Sequence, residues 1–328
     1  MTAPWDKSVF IIAEVGVNHN GNVDLAKKLI DEAAKTKVDA VKFQIYRTEN
    51  LLAKIPELME WYNGLKSWEL TLEEFKELKR HSKKKRVQFF SSFFDTVGVD
   101  LVDELDLDII KVPSGELTNH LLLEKMADKK RDVILSTGMS DLGELRAAVE
   151  ILRPSRSLAL LHCVSAYPAR LEDANLLAIK TIEKEFSLPV GLSDHTMTNH
   201  AAIAAVALGA RIIEKHFTLS HDMEGPDHKS SIEPEQLKEL VETIRALEKG
   251  LGDGVRKPAK VEVKNRYLAR KGLVFMSDMK KGQEVRNDDL GAMRPERGIS
   301  VKDFKKVIGK KLKSDVSKGD VVDWEKLS

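Results

Sequence analysis

In a chain of 328 residues, Lys plus Arg (53) and Asp plus Glu (52) nearly cancel, so no global field favours nucleic acid or a membrane surface. An anionic ligand must therefore be held by local charges. The single cysteine, Cys163, excludes an internal disulfide framework, no run approaches the roughly 20 apolar residues of a spanning helix, and residues 1–7 lack the pattern of a secretory leader, so a soluble cytoplasmic protein is expected.

Eight short apolar runs follow in chain order, each ending on residues able to do chemistry. Residues 9–13 lead to Glu14, and 38–43 carry Lys42 and lead to Gln44. Residues 86–90 lead to Ser91 and Ser92, and 107–112 carry Lys111 and run into Ser114 and Glu116. Residues 132–135 end at Ser136, 157–161 at His162 and Cys163, 189–192 at Ser193 and His195, and 210–213 at Glu214 and His216. The stretches between them are polar, amphipathic and long enough for helices.

The clearest helices are expected over 22–34, with Asn22 as N-cap, and over 71–80, where Thr71 and Glu74 form a capping-box pattern. Others are expected over 140–152, over an alanine-rich and buried 197–208, and over 234–247, opened by Pro234 and ended by Gly250. Eight strands alternating with helices predict an α/β fold of the (β/α)8 TIM-barrel type, about 250 residues long, with its active site at the C-terminal strand ends. The expected domains are a barrel over 1–250, a Gly/Pro/charge-rich linker over 251–265, and a small β-rich module over 266–328. At about sixty residues the module is near the lower limit for independent stability.

His195 and His216 end neighbouring strands, where two imidazoles can converge on one divalent ion. A lone histidine more often satisfies a local backbone group, but two at adjacent ends, beside Asp194 and Glu214, favour a metal site with open positions. His221 and His228, in the following loop, are expected to face solvent. Lys42 and Lys111 lie in strands that otherwise read as core. Either they point outward, or, with Ser92, Ser114, Ser136 and Ser193, they form a phosphate cradle on the rim. Glu14 and Glu116 are candidates for acid–base work, with ion pairing to those lysines as the plain alternative. Tyr167 is a candidate site phenol or a simple lid contact. Cys163 lacks a base-and-orienter pattern and reads as a small buried thiol.

The segments IIAEVGVNHNG, AVKFQ, IIKVPSGELTN, VILSTGMS, LHCVSAYPA, GLSDHT and EKHFTLSHDMEGPDH resemble, in order and spacing, the sialic acid synthase family. That family includes N-acetylneuraminate synthases and legionaminate and pseudaminate relatives. The tail, with RKGLVFMSDMKKGQEV and AMRPERGIS, resembles their antifreeze-like (SAF, β-clip) domain. The resemblance implies a condensation of phosphoenolpyruvate with an N-acylated amino sugar, releasing phosphate. It assigns His195 and His216 to a divalent metal, Mn2+ or Mg2+, and Lys42, Ser92, Lys111, Ser114, Ser136 and Ser193 to phosphoenolpyruvate. Glu14, Tyr167, Asp227 and Gln44 match residues on the sugar side, and Glu116 a proposed acid–base residue. It also implies a domain-swapped homodimer in which Arg294 reaches the partner's sugar. The tail departs from the family pattern at Glu296, which stands where a glycine is usual. N-acetylmannosamine and a 2,4-diacetamido-2,4,6-trideoxyhexose both stay open as the sugar. A Schiff-base pyruvate aldolase and a non-enzymatic carbohydrate-binding protein are the rival classes.

Overall fold

The computed structural model describes residues 2–328. Two compact units divide the chain, the first reaching to Gly252 and the second running from Asp253 to Ser328.

In the first unit eight parallel strands close into a barrel in sequence order. They are β1 (Phe10–Gly16), β2 (Ala40–Ile45), β3 (Gln88–Phe93), β4 (Ile109–Val112), β5 (Asp132–Ser136), β6 (Ser157–Cys163), β7 (Val190–Asp194) and β8 (Ile212–His216). The helices that follow them are α1 (Val23–Lys35), α2 (Leu72–Lys85), α3 (Leu101–Glu104), α4 (His120–Asp128), α5 (Leu142–Leu152), α6 (Ala178–Phe186), α7 (His200–Ala207) and α8 (Pro234–Leu251). Local chemistry starts several of them. Asn22 accepts from Leu25 N at 3.0 Å, and Thr71 and Glu74 form the expected reciprocal capping box.

Three elements differ from expectation. Between β3 and β4 the helix shrinks to the four residues of α3. Between β2 and α2 the chain adds a helix, Met59–Trp68, with a satellite core of Val17, Tyr46 and Leu65. Finally, α8 runs through Gly250, where it was expected to end, to Leu251, and is capped by Gly252, whose φ of +66° is a conformation that favours glycine.

Period-two alternation sorts the barrel side chains. Ile11, Ala13, Val41 and Ile213 belong to the large core beneath the helices. Phe10, Ile12, Ala40, Phe90, Ile109, Ile134, Ala159 and Ile212 form the apolar core inside the barrel, joined by Trp5 from the N-terminal turn. Two residues further along each strand, the same parity places Glu14, Lys42, Ser92, Lys111, Ser136 and Glu214 on the interior face. Gly191 is required by packing, because a Cβ there would lie 2.2 Å from Ile212 O.

In the second unit β9 (Gly272–Phe275) pairs antiparallel with β10 (Leu290–Met293), and isolated bridges extend the pairing. Leu273, Phe275, Val285, Ile299, Val307 and Val322 fill its core. A helix, α9 (Glu262–Ala269), runs across the expected end of the linker at residue 265, so that segment is not irregular throughout.

Candidate active site

The two lysines point inward. Lys42 Nζ donates to Ser92 Oγ and pairs with Glu14 Oε1, both at 2.8 Å. Lys111 Nζ donates to Ser136 Oγ at 2.7 Å and to Glu214 Oε1 at 3.3 Å. Glu214 Oε1 also lies 3.7 Å from Lys42 and accepts from Ser193 Oγ at 3.1 Å. All of these side chains are buried. Two ammonium groups and two carboxylates thus neutralise one another in a low-dielectric place, the condition under which a buried charge is tolerated.

Their proton affinities separate. Burial pushes the Glu14 carboxyl up, Lys42 opposes it, and neighbouring Glu214 adds to the rise. Burial also penalises the Glu214 carboxylate, but Lys111 and Lys42 outweigh it and hold the group down at about 2. Glu214 therefore stays ionised as the shared counter-ion of both lysines.

The other side of the rim is imidazole. His195 and His216 have ring centroids 5.2 Å apart, and the Tyr167 ring lies 4.2 Å from that of His195. His195 Nδ1 is bonded to Val164 O at 2.7 Å, while His216 Nδ1 pairs with Asp227 Oδ2. Burial, followed by the His216 charge, pushes His195 down to about 3, leaving it neutral. Burial alone would lower His216 too, but Asp227 overcomes it and the net direction is up. In both rings the outer nitrogen is fixed by a protein acceptor, the arrangement that orients metal-ligating histidines.

The donor set fits a divalent ion in part. Glu14 Oε2 and Glu214 Oε2 are buried without a hydrogen-bond partner. Yet among the described residues no group of three or more His, Cys, Asp or Glu is placed to hold an ion. The protein would supply two nitrogens and leave the remaining positions to water or substrate, as open catalytic sites do.

Most predicted residues join one connected set. Gln44 Nε2 donates to Glu14 Oε1 at 3.1 Å, and Ser193 Oγ lies 3.4 Å from His195 Nε2. The others stand apart from its hydrogen bonds. Ser114 Oγ accepts from Gly138 N at 3.0 Å and lies 3.4 Å from Cys163 Sγ. Glu116 is half-buried and bonded to Asn119 Nδ2 at 2.7 Å; burial raises its pKa. Arg294 belongs to the second unit, where it is exposed. Cys163 is the buried thiol that was expected.

One histidine corrects the sequence reading. His228 is fully buried and bonded to Thr218 Oγ1 at 2.6 Å, and His221 Nε2 is bonded to Ser231 O at 2.7 Å. The loop after β8 folds back through a Phe217–Ile232 bridge and encloses His228, while His221 stays partly exposed at 35%.

Two residues escaped sequence reasoning. Glu214 was seen only as a neighbour of the histidines, and its parity with His216 was the available signal. Gly16, at φ +55°, lets three site groups converge: a Cβ there would meet Asp227 Oδ2 and Gln44 Nε2 at 3.4 Å and Glu14 Oε1 at 3.6 Å.

Comparison with known proteins gives the family and the fold. Residues 29–256 match the NeuB family and residues 270–328 the SAF domain. The chain is 44% identical to the N,N'-diacetyllegionaminic acid synthase of Campylobacter jejuni, with 93% of this chain and 96% of the relative aligned. It is 32% identical to human N-acetylneuraminate-9-phosphate synthase, over 95% and 91% of the two chains. The crystal structure of N-acetylneuraminic acid (sialic acid) synthetase from Leptospira borgpetersenii, in complex with citrate, is 40% identical and superposes with a TM-score of 0.75 over 79% of this chain and 90% of that one. The chain belongs to the NeuB family and ends in a SAF domain.

Proposed function

We propose that the chain condenses phosphoenolpyruvate with an N-acylated amino-sugar aldehyde to give a 2-keto acid and phosphate. The observation that carries this reading is the pair of buried ammonium groups, Lys42 and Lys111, beside two imidazoles fixed by their outer nitrogens. Lys42, Lys111, Ser92, Ser114, Ser136 and Ser193 hold the phosphate and carboxylate of phosphoenolpyruvate, as preorganised charge and hydrogen bonds. Glu14, Gln44, Tyr167 and Asp227 face the sugar. A divalent metal, Mn2+ or Mg2+, held by His195 and His216 supplies Lewis acidity to the aldehyde when bound. The C3 carbon of phosphoenolpyruvate adds to the aldehyde carbon, water adds at C2 with Glu116 moving its proton, and C–O cleavage releases phosphate.

Relatives named as legionaminic and as N-acetylneuraminic acid synthases are similarly close, at 44% and 40% identity, so N-acetylmannosamine and a 2,4-diacetamido-2,4,6-trideoxyhexose are the two acceptors to compare. The test is phosphate release with each sugar, with and without chelator, and product masses read by mass spectrometry. Chelator-sensitive release with one sugar is the expected result. Pyruvate trapped on a barrel lysine by borohydride, without metal dependence, would favour a Schiff-base aldolase instead.

The working assembly in this proposal is a homodimer with exchanged tails, in which Arg294 of the partner subunit contacts the sugar. Mixing an inactive His195→Ala subunit with an inactive Arg294→Ala subunit should restore one working site per heterodimer. No rescue after verified exchange would exclude the swap.

A further inference from the structure

The turn after β1, V-G-V-N-H-N-G, carries two asparagines that the chemistry above does not use. Both reach across to the loop between β8 and α8. Asn18 is fully buried and donates from Nδ2 to Phe217 O at 2.9 Å and to Ser231 Oγ at 2.8 Å. Phe217 and Ser231 stand on the outgoing and returning arms of that loop. Ser231 Oγ in turn donates to Asp227 O at 2.7 Å, and the Asp227 carboxylate holds His216. Further out, Asn20 Nδ2 donates to Glu224 O at 2.7 Å. Chemistry fixes both amide orientations, because a carbonyl oxygen only accepts and must meet the nitrogen end of the amide.

The Asp227 carboxylate makes no other side-chain hydrogen bond among the described residues, so its aim depends on its backbone. That backbone is held by Ser231 Oγ and by Ser230 N, the latter at 3.1 Å. A continuous relay therefore runs from Asn18 through Ser231 and Asp227 to His216. We propose that Asn18 and Ser231 are positioning residues that aim Asp227 at His216 and so set the divalent-metal affinity of the histidine pair. The inference rests on the metal reading given above. Outer partners of metal-ligating histidines typically change affinity by about 10- to 100-fold when removed.

The experiment compares Ser231→Ala and Asn18→Asp with Thr71→Ala, which removes only the N-cap of α2. Asn18→Asp keeps the shape but turns an acceptor toward Phe217 O. Mn2+ is titrated into metal-stripped protein by calorimetry, and the 15N shift of His216 Nδ1 is read at one fixed pH. Ser231→Ala should weaken Mn2+ binding about tenfold and Asn18→Asp up to about a hundredfold. Both should move the His216 signal, whereas Thr71→Ala should lower Tm and move neither readout. If Asn18→Asp fails to fold, Ser231→Ala decides alone. Unchanged affinity and an unchanged His216 signal would overturn the proposal, as would an equal effect from Thr71→Ala. A wild-type protein that binds no Mn2+, but whose His216 signal still moves in Ser231→Ala, would sink the metal reading and leave the positioning role standing.

Discussion

The rim divides into a lysine half and a histidine half that solve the problem of buried polarity in opposite ways. Around β1, β2, β4 and β8, ammonium groups are neutralised inside the site by Glu14 and Glu214. Around β7 and β8, the rings are tied from outside, by Val164 O and Asp227, which leaves their inner nitrogens for other work. The first half is a closed charge balance that an arriving anion must compete with. The second is an oriented, open donor pair. Removing a residue should therefore cost fold stability as well as function in the first half, and chiefly function in the second.

The largest expected effect lies in the histidine half. His195→Ala should cut phosphate release by roughly a thousandfold, the rate equivalent of several kcal/mol of lost electrophilic assistance. Chelator should do the same to the wild type. Because His195 is neutral and its polar contacts are a backbone carbonyl and a long contact to Ser193, the far-UV spectrum should be unchanged, and Tm should fall only modestly as the Tyr167 ring loses its neighbour. Near-normal turnover in a His195→Ala/His216→Ala double variant would break the comparison at its functional end.

Next comes Lys42→Met, read by two measurements. Phosphoenolpyruvate affinity should fall by about ten- to a hundredfold, as for loss of one charge-assisted contact of about 1.5–3 kcal/mol. Stability should fall as well, by up to about 3–5 kcal/mol, because Glu14 is left buried without its cation. Adding Glu14→Gln should restore much of the stability and none of the affinity. The two effects would then be separable, in calorimetric titration and urea unfolding respectively. If the double variant stays as unstable as the single one, the pairing with Glu14 is not what makes Lys42 tolerable.

Much of this division was legible beforehand. A barrel was readable because each of eight apolar runs ended on a chemical side chain, and the inward direction of Lys42 follows from its parity with Ala40. Which of the two parities faces inward could not be read from the sequence, since strands of a doubly covered barrel are apolar on both faces and the alternation signal is flat. The Met59–Trp68 helix was missed because it packs on the rim through a small local core rather than on the barrel. Burial of His228 depends on Phe217 meeting Ile232, fifteen residues away across a loop rich in turn formers, and local propensity carries no such information. The sharing of Glu214 Oε1 by two lysines from different strands is likewise a purely tertiary fact.

The smallest effect sharpens what the carboxylate partner does for His216. His19 is a further buried imidazole, and its Nδ1 accepts the Gly21 N–H at 3.1 Å. Burial therefore dominates, with Glu74 too weak to offset it, and pushes His19 from 6.5 down to about 4, whereas Asp227 turns the shift of His216 upward. The sign follows from linkage: below pH 6.5 the unfolded chain takes up a proton on His19 that the folded chain refuses, so stability is lost as pH falls toward 4. The ceiling is roughly 3 kcal/mol, and relaxation around the ring should leave about 1–2 kcal/mol. Asn at this position keeps an acceptor for Gly21 and removes the titration. Urea unfolding at neutral pH and again near the folded pKa should show His19→Asn losing about 1–2 kcal/mol less than wild type over that interval. Parallel losses would mean that His19 is solvated as it charges, and that burial alone does not distinguish it from the carboxylate-backed ring of His216.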